Sequence, residues 1–284
     1  MGDKIIKIGD NDVGIGESVH IIAEIGINHD GDMAKAVKLI QEAKKSGADS
    51  AKLQTYITEH RVPKEHAVYG ILKQCELSHA HQKELFDLGA DLGITVFSTP
   101  FDNESVDFLE GLGAPVYKIA SFDSVNTQLL KKVSATGKPI IMSTGMTSLD
   151  ELGSAWSALG GNDDGTGCDL LLMHCVSSYP LEDTRANLSI IPYLHSIHGG
   201  PVGYSDHTIG TKIPLLGVAA GATLIEKHFT LDINSEGPDH AMSADPGTLS
   251  ELVKGVRWVE EVLGKREMGI RSAEEAALSY RRPS

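Results

Sequence analysis

Cysteine is scarce in this sequence of 284 residues. The three cysteines, Cys75, Cys168 and Cys175, have no C-x-x-C spacing and no paired pattern. This excludes a disulfide-stapled secreted domain and indicates reduced thiols that pack in the interior, as is usual in the cytoplasm.

Long apolar runs are also absent. No segment approaches the roughly 18 uninterrupted apolar residues that a membrane-spanning helix needs, and the first residues, MGDKIIK, lack the apolar core of a signal peptide. We therefore expect a cytoplasmic protein with no membrane partner.

Positive charge is the third shortage. The sequence has 25 Lys and Arg against 39 Asp and Glu, a formal net charge of -14. Such a surface repels nucleic acid and anionic membranes, so neither is expected as a partner. An anionic small-molecule substrate would need a local basic pocket.

What the chain does contain is a repeat of short apolar runs, each followed by a helical pattern. The runs cover residues 20–26, 50–56, 95–101, 116–121, 139–145, 170–176, 201–207 and 222–230. Runs of this kind are typical of parallel strands buried on both faces. Eight β/α units predict an α/β fold, a (β/α)8 TIM barrel, although a doubly wound open sheet also fits the pattern.

Helix boundaries in the intervening segments agree with this division. Residues of the N-cap type precede several helical patterns, at Ser78, Asp102, Asn126 and Ser148. We expect residues 1–19 to form a hairpin that caps the amino-terminal end of a barrel spanning 20–264, followed by a short tail, 265–284.

Polar residues follow the predicted strands, where barrel enzymes build their active sites. Lys52 and Lys118 are the most informative, because a lysine inside a barrel strand is costly unless it is paired. Together with the hydroxyls of Thr99, Ser143 and Ser205 they could bind a phosphate and a carboxylate. The alternative is a structural ion pair with Glu24 or Glu226, carboxylates that also suit acid–base chemistry.

Two histidines, His207 and His228, end the last two predicted strands. If those strands are neighbours, both imidazoles reach the same end of the barrel and could hold a divalent metal. A pair of structural histidines is the alternative. The loop that follows strand eight adds Asp239 and His240, although Gly237-Pro238 is equally typical of a simple turn.

The strand-end motifs, taken together and in order, closely resemble those of the sialic acid synthase family. They are residues 21–29 (IIAEIGINH), 51–55 (AKLQT), 97–101 (FSTPF), 117–121 (YKIAS), 142–146 (MSTGM), 205–208 (SDHT), 226–230 (EKHFT) and 237–240 (GPDH). The resemblance runs from about Ile5 to the end of the sequence.

The resemblance implies a metal-dependent condensation of phosphoenolpyruvate with an N-acylated mannosamine-type aldose, giving a nonulosonic acid and phosphate. It implies that His207 and His228 ligate Mn²⁺ or a similar ion such as Mg²⁺ or Co²⁺, and that Glu24, Lys52 and Glu226 are catalytic. Phosphoenolpyruvate would contact Lys52, Thr99, Lys118, Ser143, Ser177 and Ser205. The sugar would contact Gln54, Asp123, Tyr179 and Asp239.

The sequence departs from the family in four places. Ser177 stands where Asn is common, Asp123 where Glu is common, and the segment from Glu59 to Leu77 is shorter than in bacterial N-acetylneuraminate synthases. The sequence also ends at Arg281-Arg-Pro-Ser, where members continue into an antifreeze-like domain, so it is either truncated or a short variant.

These departures leave the sugar open. The alternatives are a legionaminic or pseudaminic acid synthase, which acts on a di-N-acylated trideoxy sugar, and a non-catalytic sugar-binding barrel. The family implies a homodimer.

Overall fold

The chain begins with a short antiparallel hairpin that closes one end of a barrel. A computed structural model describes residues 4–161, 167–265 and 267–282. The hairpin pairs β1 (Ile6–Ile8) with β2 (Asn11–Val13). The predicted segments 1–19 and 265–284 include residues 1–3, 266, 283 and 284, which lie outside the described residues.

Eight parallel strands then form a closed barrel, in which the last strand pairs with the first. They are β3 (His20–Gly26), β4 (Ser50–Thr55), β5 (Thr95–Pro100), β6 (Tyr117–Ile119), β7 (Ile140–Ser143), β8 (Leu170–Cys175), β9 (Val202–Asp206) and β10 (Leu224–His228). Because β10 pairs with both β9 and β3, the open-sheet alternative is wrong and the (β/α)8 TIM barrel is confirmed.

Ten α-helices within the described ranges surround the barrel or follow its strands. They are α1 (Met33–Ser46), α2 (Thr58–Arg61), α3 (Tyr69–Cys75), α4 (His79–Leu92), α5 (Asn103–Leu112), α6 (Thr127–Ser134), α7 (Leu149–Ala158), α8 (Ile190–His198), α9 (Lys212–Ala219) and α10 (Pro246–Leu263). None of these described helices has the length and apolarity to cross a membrane.

Local capping explains why several helices begin where the sequence predicts. The side chains of Ser78, Asp102, Asn126 and Ser148 each accept a hydrogen bond from a backbone N–H of the helix that follows. Each bond satisfies a donor that the first turn leaves free. The predicted fourth strand, 116–121, is shorter than expected, because a 3₁₀ turn begins at Ser121.

The hairpin seals the amino-terminal end of the barrel. Ile6, Ile8 and Val13 are buried and pack against apolar side chains from five strands of the barrel and from the residue that precedes β6. These are Ile22, Phe97, Val116, Ile141, Leu171, Met173 and Leu224. A larger apolar layer lies between the strands and the outer helices. The amino-terminal half of the interior is therefore mainly apolar, apart from His20 and Ser50, and the predicted site residues collect at the opposite end.

Candidate active site

A cavity of about 870 Å³ opens at the carboxyl ends of the strands. All but one of the site residues predicted from the sequence line it: Glu24, Lys52, Gln54, Thr99, Lys118, Asp123, Ser143, Tyr179, Ser205, His207, Glu226, His228 and Asp239. The exception is Ser177. The fold thus brings these side chains together, and their individual roles stay predictions.

The floor of the cavity holds two lysines facing two glutamates. Lys52 Nζ lies 2.8 Å from Glu24 Oε2 and 3.5 Å from Glu226 Oε2, while Lys118 Nζ lies 3.8 Å from Glu226 Oε1. Strand pairing aligns Glu24 directly with Lys52. The predicted structural ion pairs therefore exist, yet the same lysines also face the cavity.

Hydroxyl groups complete the coordination of these charges. Lys52 donates to Thr99 Oγ1 (3.1 Å), and Lys118 donates to Ser143 Oγ (2.7 Å). Ser205 Oγ donates to Glu226 Oε1 (2.9 Å). The hydroxyls of β5 and β7 thus orient the two ammonium groups, and the hydroxyl of β9 orients the Glu226 carboxylate.

The two glutamates have pKa values shifted in opposite directions. Burial raises the pKa of Glu24 above its usual range, although Lys52 opposes this shift. Burial also disfavours ionisation of Glu226, but Lys118 and Lys52 together hold its pKa below the usual range. Burial lowers the pKa of Lys118, and Glu226 opposes this shift. With Glu24 protonated, the two lysines share one firmly ionised carboxylate, a balance that favours an anionic ligand.

Ser177 lies beside this centre, at a very close approach between two loops. Its Oγ is buried and has no hydrogen-bond partner among the described residues. A Cβ at Gly145 would lie 2.6 Å from this oxygen and 2.8 Å from Ser121 Oγ, so a larger residue there would displace these hydroxyls. A buried hydroxyl without a partner is costly, which indicates that a ligand or a water molecule would satisfy it.

The two histidines lie at the rim of the cavity, with ring centroids 5.6 Å apart. His207 Nδ1 is 2.7 Å from the carbonyl oxygen of Val176, so a proton on that nitrogen would be donated there and Nε2 would keep a free lone pair. His228 Nδ1 is buried with no hydrogen-bond partner among the described residues, and Asp239 Oδ2 is 3.7 Å away.

Both imidazoles are held neutral. Burial lowers the pKa of His207 to about 4 and that of His228 to about 3. Neutral rings with free lone pairs have the chemistry of metal ligands. In the described part of the chain, however, no three His, Cys, Asp or Glu side chains are arranged as a metal site by themselves. Two nitrogens would leave other coordination positions to water or substrate.

The predicted sugar-side residues line the outer part of the cavity. Gln54 Nε2 donates to Glu24 Oε1 (3.3 Å), and the Tyr179 ring lies 4.1 Å from the His207 ring. Burial raises the pKa values of both Asp123 and Asp239. The Asp123 side chain also accepts a hydrogen bond from Asn126.

The loop that carries Asp239 is more than a simple turn. His240 is fully buried, with Nδ1 2.7 Å from Thr230 Oγ1 and Nε2 3.1 Å from Asp30 Oδ1. These contacts anchor the loop to the residues that follow β10 and β3. Asp239 is therefore held beside His228.

Arg61 is a charged residue of the cavity that was missed from the sequence. Arg61, at the end of α2, lines the cavity and donates from Nη1 to Gln54 Oε1 (3.0 Å). It follows a strand exit by six residues, in a segment for which the apolar pattern predicts no element. The only sequence signal is a lone arginine soon after a strand whose other polar residues face the site.

Comparison with known proteins identifies the family. The NeuB family profile matches residues 39–268. The N,N'-diacetyllegionaminic acid synthase of Legionella pneumophila is 38% identical, the match covering 92% of this chain and 80% of that protein. An uncharacterized protein of Methanocaldococcus jannaschii is 49% identical, with 92% and 77% covered.

Among solved structures, the sialic acid synthetase of Leptospira borgpetersenii, in complex with citrate, superposes with a TM-score of 0.93 at 35% identity. The match covers 98% of this chain and 96% of that one. The resemblance found in the strand-end motifs is thereby confirmed, and the chain belongs to the NeuB family of sugar acid synthases.

Proposed function

We propose that the protein condenses phosphoenolpyruvate with an N-acylated mannosamine-type aldose, giving a nonulosonic acid and phosphate. The observation that carries this proposal is the floor of the cavity, where two buried lysines and several hydroxyls face buried glutamates beside two neutral histidines. Such a floor suits a small substrate with two anionic groups. The histidines beside it could hold a metal ion that activates an aldehyde.

Phosphoenolpyruvate would bind at this floor. Its carboxylate and phosphate would accept hydrogen bonds from the two ammonium groups and from the surrounding hydroxyls, including the partnerless Ser177. The full set is Lys52, Thr99, Lys118, Ser143, Ser177 and Ser205. Because Glu24 resists ionisation, the lysines are not fully neutralised by the glutamates, and the site can accept the anion.

His207 and His228 would hold a divalent ion, for which Mn²⁺ is our first choice and Mg²⁺ or Co²⁺ the alternatives. When bound, such an ion polarises the aldehyde oxygen of the open-chain sugar. The residues fit this role because both rings are neutral, and His228 Nδ1 lacks a hydrogen-bond partner among the described residues. Gln54, Asp123, Tyr179 and Asp239 would orient the sugar around the same aldehyde.

The bond changes follow from this placement. C3 of phosphoenolpyruvate attacks the aldehyde carbon, forming the new C–C bond, and protonated Glu24 gives its proton to the aldehyde oxygen. Water adds to C2, and the Glu24 carboxylate formed in the first step accepts one proton of this water, while Glu226 keeps Lys52 and Lys118 in place. The C2–O bond to phosphate then breaks, and the remaining proton of the C2 hydroxyl leaves with the phosphate as the keto group forms.

The second candidate is a synthase acting on a di-N-acylated trideoxy sugar. The Legionella relative carries the name of such an enzyme, and apolar side chains line one side of the cavity, where a less hydroxylated sugar would fit. Cytoplasmic location, which the sequence composition predicts, and a homodimer, which the resemblance implies, stay predictions.

The test is phosphate release from phosphoenolpyruvate with Mn²⁺ and a panel of N-acylated aminosugars. We expect metal-dependent release that requires one of the sugars, and loss of nearly all turnover in His228→Ala. His198→Ala is the matched control, because His198 bonds to the Leu170 carbonyl oxygen outside the cavity. Sugar-dependent release at the wild-type rate from His228→Ala would refute the ligand assignment. The absence of release with any sugar would favour a non-catalytic binder.

A further inference from the structure

Arg61 is a half-buried cation for which the cavity provides few partners. Its guanidinium lies over the ring of Phe101, 3.6 Å from the centroid, and 4.8 Å from that of Tyr56. Of its five N–H donors, only one, on Nη1, reaches an acceptor in the described part of the chain, the Gln54 side chain. The remaining donors are available to a ligand in the cavity that the residue lines.

The segment around Arg61 is built to hold it still. Tyr56 Oη donates to the carbonyl oxygen of Leu72 (2.9 Å), which ties β4 to α3. The Thr58 backbone N–H donates to Glu76 Oε2 (2.9 Å), which ties α2 to the end of α3. The stacked guanidinium therefore has a fixed position, and a ligand that bonds to it loses little of its affinity to the ordering of the side chain.

An apolar surface adjoins the guanidinium. We call it the α2–α3 wall and define it as Ile27, Val62, Ile71 and Leu72, all of which line the cavity. The same four side chains belong to one apolar cluster with Tyr56 and Phe101, on which Arg61 stacks. The guanidinium thus stands at the border between the polar floor and an apolar recess.

We propose that Arg61 and the α2–α3 wall form the subsite for an N-acyl substituent of the aldose, with the acyl carbonyl oxygen accepting from the guanidinium and the alkyl end lying against the wall. The inference rests on the proposed function and names the residue that would recognise the N-acyl group of the aldose. An acylamino group pairs an acceptor oxygen with an apolar end, as this border requires. A sugar hydroxyl would leave the wall without a partner.

A phosphate on the sugar is the competing occupant, and the charges disfavour it. Asp123, Asp239 and Glu24 all act electrostatically on the guanidinium, and all three line the cavity. A phosphate dianion at Arg61 would face Asp123 and Asp239, with the Arg61 guanidinium to offset them. A neutral carbonyl group does not incur that repulsion.

The experiment measures binding of N-acetylmannosamine, mannose and N-acetylmannosamine 6-phosphate by calorimetry, with phosphoenolpyruvate binding as the check on the fold. The variants are Arg61→Met, which keeps an unbranched chain over Phe101, and Arg61→Lys, which keeps the charge. Arg185→Met is the control, since Arg185 is exposed and pairs with Glu182. Phosphate release is followed separately.

We expect the wild type and Arg185→Met to bind N-acetylmannosamine at least about 10-fold more tightly than mannose, the effect of one hydrogen bond to a charged group. Arg61→Met should lose most of this preference, Arg61→Lys should keep part of it, and phosphoenolpyruvate affinity should stay unchanged.

Three results would overturn the inference: no preference in the wild type, an unchanged preference in Arg61→Met, or an Arg61-dependent preference for the 6-phosphate. The inference would also be contradicted if Arg61→Met weakened phosphoenolpyruvate binding as much as it weakened N-acetylmannosamine binding. Failure of phosphate release in the wild type, with the Arg61-dependent preference intact, would refute the condensation and leave the subsite standing.

Discussion

Among the single residues, Lys52 is the one on which the site depends most, because its ammonium group balances the charge of buried carboxylates. It lies between two buried carboxylates, and its side chain is only 5% exposed. Removing one charged residue from a buried ionic cluster leaves the opposite charge buried and unpaired. This costs far more stability than replacing the whole cluster with apolar side chains. The same arrangement that prepares the floor for an anion therefore makes it sensitive to the loss of a single cation.

Lys52→Met should lower the free energy of unfolding by about 3–5 kcal/mol near pH 8. The loss should be smaller near pH 5. In the folded protein the pKa of Glu24 is raised, and Lys52→Met raises it further. Folding therefore favours protonated Glu24. This contribution to stability is present below the unfolded-state pKa of Glu24 and is lost as pH rises through its folded-state pKa. Urea denaturation at both pH values measures the difference.

The matched comparison is the double variant Glu24→Gln, Lys52→Met, which removes the carboxylate that Lys52 contacts at 2.8 Å. It should recover part of the stability at the higher pH and show a weaker pH dependence than Lys52→Met. An equal loss for the single and double variants at both pH values would contradict the charge assignment.

The sequence predicted this cluster well but left its meaning open. A lysine within a buried strand must have a partner, so Lys52 and Lys118 were identifiable from their positions, and both alternatives, ion pair and ligand site, describe them. Arg61 was not identifiable in this way. Its place in the cavity depends on how a short helix packs on Phe101, a contact 40 residues away that no local pattern encodes.

Among the secondary-structure elements, the hairpin β1–β2 stabilises the end of the barrel opposite the predicted active site. Its inward side chains fill the amino-terminal end of the barrel, whereas every predicted site residue lies at or near the carboxyl end. The strand pattern explains this division. Ile8 and Val13 point into the barrel, and the intervening turn contains Gly9, where a Cβ would collide with Thr95 at the start of β5.

Ile8→Ala should lower the free energy of unfolding by roughly 2–5 kcal/mol, because Ile8 is fully buried and the truncation leaves a cavity in the barrel end. The affinity for phosphoenolpyruvate should be unchanged. Ile5→Ala is the control, since Ile5 is 48% exposed and should be nearly neutral. A stability loss as small as that of the control would show that the hairpin does not seal the barrel.

The elements also show where sequence patterns reach their limit. The barrel strands and the capped helices were predicted closely, because burial on both faces and N-cap chemistry leave local signals. Helices α2 and α3 were not predicted. They are short, their N-cap residues make no side-chain capping bond, and they form by packing against Tyr56 and Gly31 rather than through their own periodicity.

The molecule as a whole is strongly acidic, yet it places two lysines together at the floor of one cavity. The net charge is -14, yet the floor of the cavity holds two lysines whose neutralisation by Glu24 is incomplete. Closure of the barrel makes this possible, because it brings the carboxyl ends of eight distant segments to one rim. The choice of sugar, in our proposal, depends on Arg61 and the apolar side chains beside it.

The most direct test of the condensation is one reaction in ¹⁸O-enriched water with phosphoenolpyruvate, N-acetylmannosamine and Mn²⁺, analysed by mass spectrometry. Water attack at C2 predicts sugar-dependent phosphate without ¹⁸O, together with a nonulosonic acid that gains the label at C2. Label in the phosphate, or phosphate released at the same rate without any sugar, would contradict the account.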